Sequence, residues 1–125
     1  MSQKTFSVPN FNMGYFMAWD MYSQAAQTIK VKLKDDSRIY AEGESAETEI
    51  MPPLAQGSGF ITGNALQLDV DIPDSEDLKS SINSYTIARA DGQPVGFGFN
   101  LFVEDSEDND YNDLYVSLIC WKSKG

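Results

Sequence analysis

The residues in this chain best able to do chemistry are packed into one short run, Glu104-Asp105-Ser106-Glu107-Asp108-Asn109-Asp110-Tyr111-Asn112-Asp113. Those ten positions hold six carboxylates and two amides, with no Lys or Arg among them. Like-charge repulsion opposes such a density in a folded chain unless something neutralises it. Calcium is the natural neutraliser, because this hard cation takes about 6–8 oxygen ligands from carboxylates, amide carbonyls and backbone C=O. The run offers those ligands at one- and two-residue spacing, more of them than a single ion needs, so two adjacent ions sharing bridging carboxylates fit the donor set.

Asp108-x-Asp110-x-Asn112 matches the opening of an EF-hand loop and then departs from it. The sixth position is Asp113 where a Gly makes the turn, and the twelfth is Ile119 where a Glu closes the site. A strand-like run follows Asp113, so the ligands are predicted on a loop that closes a sheet. Three alternatives stand beside a ligand-binding calcium site: a calcium that only ties strand ends together, a solvated acidic loop, and a glycosidase carboxylate pair. Crowding opposes the last, since glycosidase acids need environments that push their pKa values apart.

The remaining composition narrows the choices. No histidine is present and Cys120 is the single cysteine, so Ser-His and Cys-His catalysis, the usual zinc sites and an intrachain disulfide each lack a part. Cys120 sits in Leu118-Ile119-Cys120-Trp121 and reads as a small buried hydrophobe. A net charge of −10, six of it in the acidic run, and Lys30, Lys32 and Lys34 as the basic stretch give no footprint for nucleic acid or anionic membranes. The first residues lack the apolar core of a signal peptide, and nothing approaches the roughly 20 apolar residues of a membrane span. Membrane insertion is therefore not expected, and a cytoplasmic protein or one exported without a cleaved signal is.

The elements that must position the acids have period two. Ile29, Val31 and Leu33 alternate with lysines up to the turn Asp35-Asp36-Ser37, and Leu66, Leu68, Val70 and Ile72 alternate up to Pro73. Further strands are predicted at Thr5 to Val8, Gly14 to Trp19, Arg38 to Glu42, Tyr85 to Ala90, Val95 to Val103 and Leu114 to Trp121. Gly57-Ser58-Gly59 and Asp91-Gly92 read as turns, and residues 74–81 as a charged loop or a single helical turn. The expectation is one all-β domain over residues 1–125, an antiparallel β-sandwich of about nine strands with jelly-roll-like or Greek-key connections. Glu42, Glu44, Glu47 and Glu49 read as a solvated edge or loop rather than a second cation site. Trp19, Tyr22 and Tyr111 read as core or rim packing ahead of a sugar-stacking role.

The run Glu104-Asp105-x-x-Asp108-Asn109-Asp110-Tyr111-Asn112-Asp113 resembles the signature of bacterial calcium-dependent fucose- and mannose-binding lectins of the fucose-binding lectin II (PA-IIL) type. Phe6-Ser7-Val8-Pro9, Gln27-Thr28-Ile29, Asp77-Leu78-x-Ser80 and a Trp121 shortly before Gly125 extend the resemblance along the chain. It implies a nine-stranded sandwich holding two calcium ions per subunit, with the hydroxyls of a fucose- or mannose-like monosaccharide, free or in a glycoconjugate, completing their coordination. Calcium ligands would be Glu104, Asp108, Asp110, Asn112 and Asp113, the Met21 backbone from a polar loop at Met21 to Gln24, and Gly125, whose carboxylate would reach a partner's site in a homodimer or homotetramer. The sugar would meet Ser23, Asp105, Asp108, Asp110, Asp113 and Gly125. A structural calcium-stabilised sandwich of the surface or adhesin type, without sugar binding, is the alternative.

Overall fold

A computed structural model describes residues 2–104 and 109–125, the side chain of Ser2 excepted. Nine strands carry the described chain: β1 Ser2–Ser7, β2 Phe16–Ser23, β3 Ile29–Lys34, β4 Ile39–Ser45, β5 Ala55–Phe60, β6 Gln67–Ile72, β7 Lys79–Ala88, β8 Pro94–Glu104 and β9 Leu114–Trp121. They form a four-stranded sheet in the order β1-β6-β3-β4 and a five-stranded sheet in the order β5-β2-β9-β8-β7. Every pairing within the sheets is antiparallel. The all-β sandwich expected from the periodicity is what the chain adopts.

The alternation in sequence becomes two inner faces meeting in one core. Met17, Trp19 and Met21 of β2, Leu114, Val116, Leu118 and Cys120 of β9, and Phe99, Leu101 and Val103 of β8 line one side. Ile29, Val31 and Leu33 of β3 and Leu68, Val70 and Ile72 of β6 line the other. On the outer face of the four-stranded sheet, Lys30 lies opposite Glu44 and Asp71, and Lys32 opposite Glu42 and Asp69. Cross-strand opposites of this kind favour one register, since a one-residue slip would turn the whole apolar set outward.

Asp35 stabilises the turn between β3 and β4. Its carboxylate accepts hydrogen bonds from the Ser37 N–H at 2.8 Å, the Ser37 hydroxyl at 2.6 Å and the Arg38 N–H at 3.1 Å, and Tyr40 Oη donates to its second oxygen. Burial pushes this carboxyl up, but the hydrogen bonds from Ser37, Tyr40 and Arg38 outweigh it and leave it below its ordinary value. The Asp91-Gly92 turn also forms as read, with Gly92 at φ 89° and its N–H on the Arg89 carbonyl at 2.9 Å.

Three readings of the sequence need correction. Gly57-Ser58-Gly59 is not a turn; it lies inside β5, with Gly57 opposite Trp19. A Cβ at Gly57 would stand 2.8 Å from Trp19 Cζ2, so the glycine lets the strand pass close over the indole. Residues from Lys79 onward are strand rather than loop or helical turn: β7 is an edge strand exposed along both faces, which removes the period-two signal. The Met21-to-Gln24 segment is not a free loop either, because β2 continues through Ser23.

Two outcomes follow. Gly57→Ala is expected to destabilise the fold by about 1–3 kcal/mol through overpacking against Trp19, measured by urea denaturation; an unchanged midpoint contradicts the close-approach account. Cys120 is fully buried, and burial raises its thiol to about 11. Its thiolate is therefore scarce at pH 8, and alkylation by iodoacetamide, followed by mass spectrometry, should occur only after the chain is unfolded.

Candidate functional site

Strand pairing brings the acids together. The β8–β9 register sets Val103 opposite Leu114, and the Asp113 N–H donates to the Val103 carbonyl at 3.2 Å, so Glu104 and Asp113 face each other just where the ladder ends. Glu104 has no solvent exposure and Asp113 only 7%. Charged carboxylates in such positions carry a desolvation cost. Asp110, exposed on the connecting loop, brings a third: single carboxylate oxygens of Glu104, Asp110 and Asp113 all lie within 4.8 Å of one another.

The backbone of the loop is shaped to aim these groups. Asn109 and Tyr111 adopt left-handed conformations, φ 59° and 53°, and the Tyr111 N–H donates to Glu104 Oε1 at 3.0 Å. Asn tolerates that region, whereas for Tyr it is uncommon and is held by surrounding structure. The end of the Asn112 side chain that faces Asp110 lies 2.7 Å from Oδ1 and 3.2 Å from Oδ2. Presented as nitrogen it donates to that carboxylate; turned over, it adds an amide oxygen to the same point, the mixed donor set that a hard cation selects.

The neighbouring strand is tied to this loop. The Gln24 N–H donates to the Asp113 carbonyl at 3.0 Å, and Gln24 Nε2 to the Asn112 carbonyl at 3.4 Å. Ser23, the residue before it, occupies the inward-facing parity of β2 at the mouth of the sandwich and is 5% exposed. Lys79 from the start of β7 reaches Asn109 Oδ1 at 3.4 Å on the other flank.

Set against the sequence expectations, the structure gathers Glu104, Asp110 and Asp113, lays Asn112 on Asp110, and brings Ser23 alongside through Gln24. Asp105 and Asp108 lie outside the described residues. Met21 is not gathered with the acids: its side chain is in the core, and its carbonyl accepts the Leu54 N–H at 2.7 Å from the β5 side. Gly125 lies beyond the far end of β9, an 8-residue strand whose ends are separated by roughly 23 Å. Its tail stays there, with Lys124 Nζ 5.6 Å from the Phe16 ring, so Gly125 does not reach the acids of its own chain. Trp19 is in the core, Tyr22 stacks on Tyr115 with centroids 5.9 Å apart, and Tyr111 is half-buried against Glu104. Gln24 enters the sequence reading only as the end of a polar loop and with no role of its own, because its shorter bond to the acidic loop comes from backbone pairing, which carries no residue-type signal.

Chemically, three converging carboxylates with an amide beside them are able to hold a divalent cation. Calcium at about one hundred times its dissociation constant is expected to add about 2.7 kcal/mol to stability. Asp110→Ala, at an exposed position, should abolish that calcium-dependent rise in melting temperature and leave the calcium-free midpoint nearly unchanged. A full rise in the variant would remove Asp110 from the site.

Comparison with known proteins is consistent with this geometry. The profile of the family described as fucose-binding lectin II (PA-IIL) matches residues 6–122. No curated protein shows significant similarity. Among solved structures, a high-affinity mannose-binding lectin of Ralstonia solanacearum is 21% identical with a TM-score of 0.66, covering 100% of both chains. A Chromobacterium violaceum lectin solved with α-methyl-fucoside is 19% identical with a TM-score of 0.65, again over 100% of both. The C-terminal domain of a Burkholderia cenocepacia lectin is 20% identical with a TM-score of 0.62, over 99% of this chain and 98% of that one. At these identities the three structures speak to the sandwich fold alone.

Proposed function

The chain belongs to the fucose-binding lectin II (PA-IIL) family, carbohydrate-binding proteins rather than enzymes, and on that premise we propose that it binds a fucose- or mannose-like monosaccharide through two calcium ions held in the acidic loop. The observation that carries this reading is the convergence of Glu104, Asp110 and Asp113 within 4.8 Å at the mouth of the sandwich, two of them buried. On this reading Asn112 adds an amide oxygen and Asp108 a further carboxylate to the calcium ligands, while Asp105 is a sugar contact. When bound, calcium supplies coordination positions that vicinal sugar hydroxyls fill as neutral oxygen donors.

The chain's own residues do the rest of the recognition. Carboxylates of the loop accept the hydroxyl protons as charge-assisted hydrogen bonds, shorter and stronger than neutral ones. Ser23 offers a hydroxyl on a strand end fixed by the Gln24 to Asp113 hydrogen bond, so the contact is pre-organised rather than formed at a cost in chain entropy. On the same reading the protein is a dimer or tetramer in which Gly125, held beyond the far end of β9 from the acids of its own chain, meets a partner's site. Such an assembly binds multivalent surfaces with avidity beyond that of one site.

Thermal stabilisation by ligand tests the shared site. Methyl α-fucoside or methyl α-mannoside should raise the melting temperature when calcium is present and leave it unchanged in chelator, because a ligand that binds only the native, metal-loaded state stabilises by linkage. Calcium-dependent stability with no response to either sugar would instead leave a purely structural ion.

A further inference from the structure

A cleft of about 470 Å³ opens beside Ser23, on the side away from the acidic loop. Its walls are Glu44 at the end of β4, Glu47 and Glu49 from the segment that follows, and Met51, Pro53 and Leu54 from the approach to β5. That volume lies within the range of about 300–1,000 Å³ typical of small-molecule sites. Building on the lectin reading above, we infer that this cleft is a second subsite, which takes the substituent carried by the bound sugar and selects it by charge: a cationic or neutral, partly apolar group is accepted and an anionic one rejected.

The acidic wall alone does not make a site; the Ser23 hydroxyl supplies the independent observation. Ser23 is 5% exposed, lines the cleft, and makes no side-chain hydrogen bond among the described residues. The Ser23 oxygen opens on the cleft and holds no partner among those residues, so a polar ligand group entering between it and the glutamates gains a hydrogen bond without breaking one of the fold's own. Ser23 also adjoins the calcium loop through Gln24, so an atom on it belongs to a ligand that spans both spaces.

The wall is held to the same strand. The Leu54 N–H donates to the Met21 carbonyl of β2 at 2.7 Å, and a Cβ on Gly43 would fall 2.9 Å from Leu54 Cγ, so the Leu54 side chain is seated in a notch that glycine leaves. Leu54 and Pro53 are half-buried and Met51 exposed, an apolar side fit for methyl groups and the C–H face of a ring. Opposite it, Glu44, Glu47 and Glu49 are exposed, and no Lys or Arg lines the cleft. Their carboxylates do not converge as those of Glu104, Asp110 and Asp113 do, so they act as a negative field rather than as a cage for an ion.

Calorimetric titration of the whole protein in saturating calcium tests this with charge-matched probes. The probes are aminoethyl, hydroxyethyl and carboxymethyl α-glycosides of fucose and mannose, and the 6-amino and 6-carboxylate forms of methyl α-mannoside. At low ionic strength the ammonium probe should bind about fivefold or more tighter than its carboxylate counterpart at one of the two positions, the scale expected of a few exposed charge contacts. The ratio should shrink at 0.5 M salt, about the regime where exposed charges are screened. The E44Q/E47Q/E49Q variant, which preserves shape, should bring it within about twofold while leaving the affinity for the uncharged methyl glycosides unaltered. Equal binding of ammonium and carboxylate probes at both positions, or a ratio that survives in the variant, overturns the subsite. Failure of the uncharged methyl glycosides to bind in calcium is a different result: it removes the lectin reading, and the subsite with it.

Discussion

Mutual repulsion among carboxylates is the constraint around which this molecule is arranged. Glu104 and Asp113 flank the last pair of the β8–β9 ladder, Val103 opposite Leu114, with carboxylate oxygens within 4.8 Å of one another, and both are buried. The strands impose that approach: Val103 and Leu114, both fully buried, lock the register, and the core energy of those positions outweighs the electrostatic cost. A site assembled in this manner suits a divalent cation, because the fold has already brought the charges together.

The sandwich then determines what else stands near the acids. β9 pairs with β8 on one edge and with β2 on the other, so one strand end delivers Asp113 to Glu104 and to Gln24 at once. The same β2 binds the Leu54 backbone on its opposite edge. The acidic loop and Ser23 are thus mounted on adjacent strands of one sheet, and the glutamate-lined cleft lies where the end of β4 from the other sheet and the segment leading to β5 meet the end of β2. Two acidic regions of different character result, one converging and half-buried, the other dispersed and exposed.

Much of this is legible in the amino-acid sequence, for reasons that differ by element. β3, β6 and β9 are read correctly because each is buried on one face and wet on the other, which writes period two directly into residue type. β7 is obscured since both its faces are exposed, and Lys79 to Ser84 consequently carry no alternation. Gly57-Ser58-Gly59 misleads because glycine has two uses, turning a chain and letting it pass close, and the indole of Trp19 that settles the matter lies 38 positions earlier.

What the sequence by itself determined is the chemistry and the fold class: a run of hard oxygen donors without histidine or basic neighbours, an all-β pattern, and a family signature within residues 104–113. What tertiary structure alone decided is which donors meet. Glu104 and Asp113 are nine residues apart in the chain and face each other because of strand register, whereas Met21 and Gly125 are kept from that cluster by the length and direction of β2 and β9. The glutamates between Glu44 and Glu49 likewise have nothing in sequence to join them to Ser23; the crossing from β4 to β5 between the two sheets, tied down by the Leu54 to Met21 hydrogen bond, places them around one cleft. Residue types record the capacity to bind, and the geometry that turns capacity into a site is set by backbone hydrogen bonds, which every residue except proline can donate and accept.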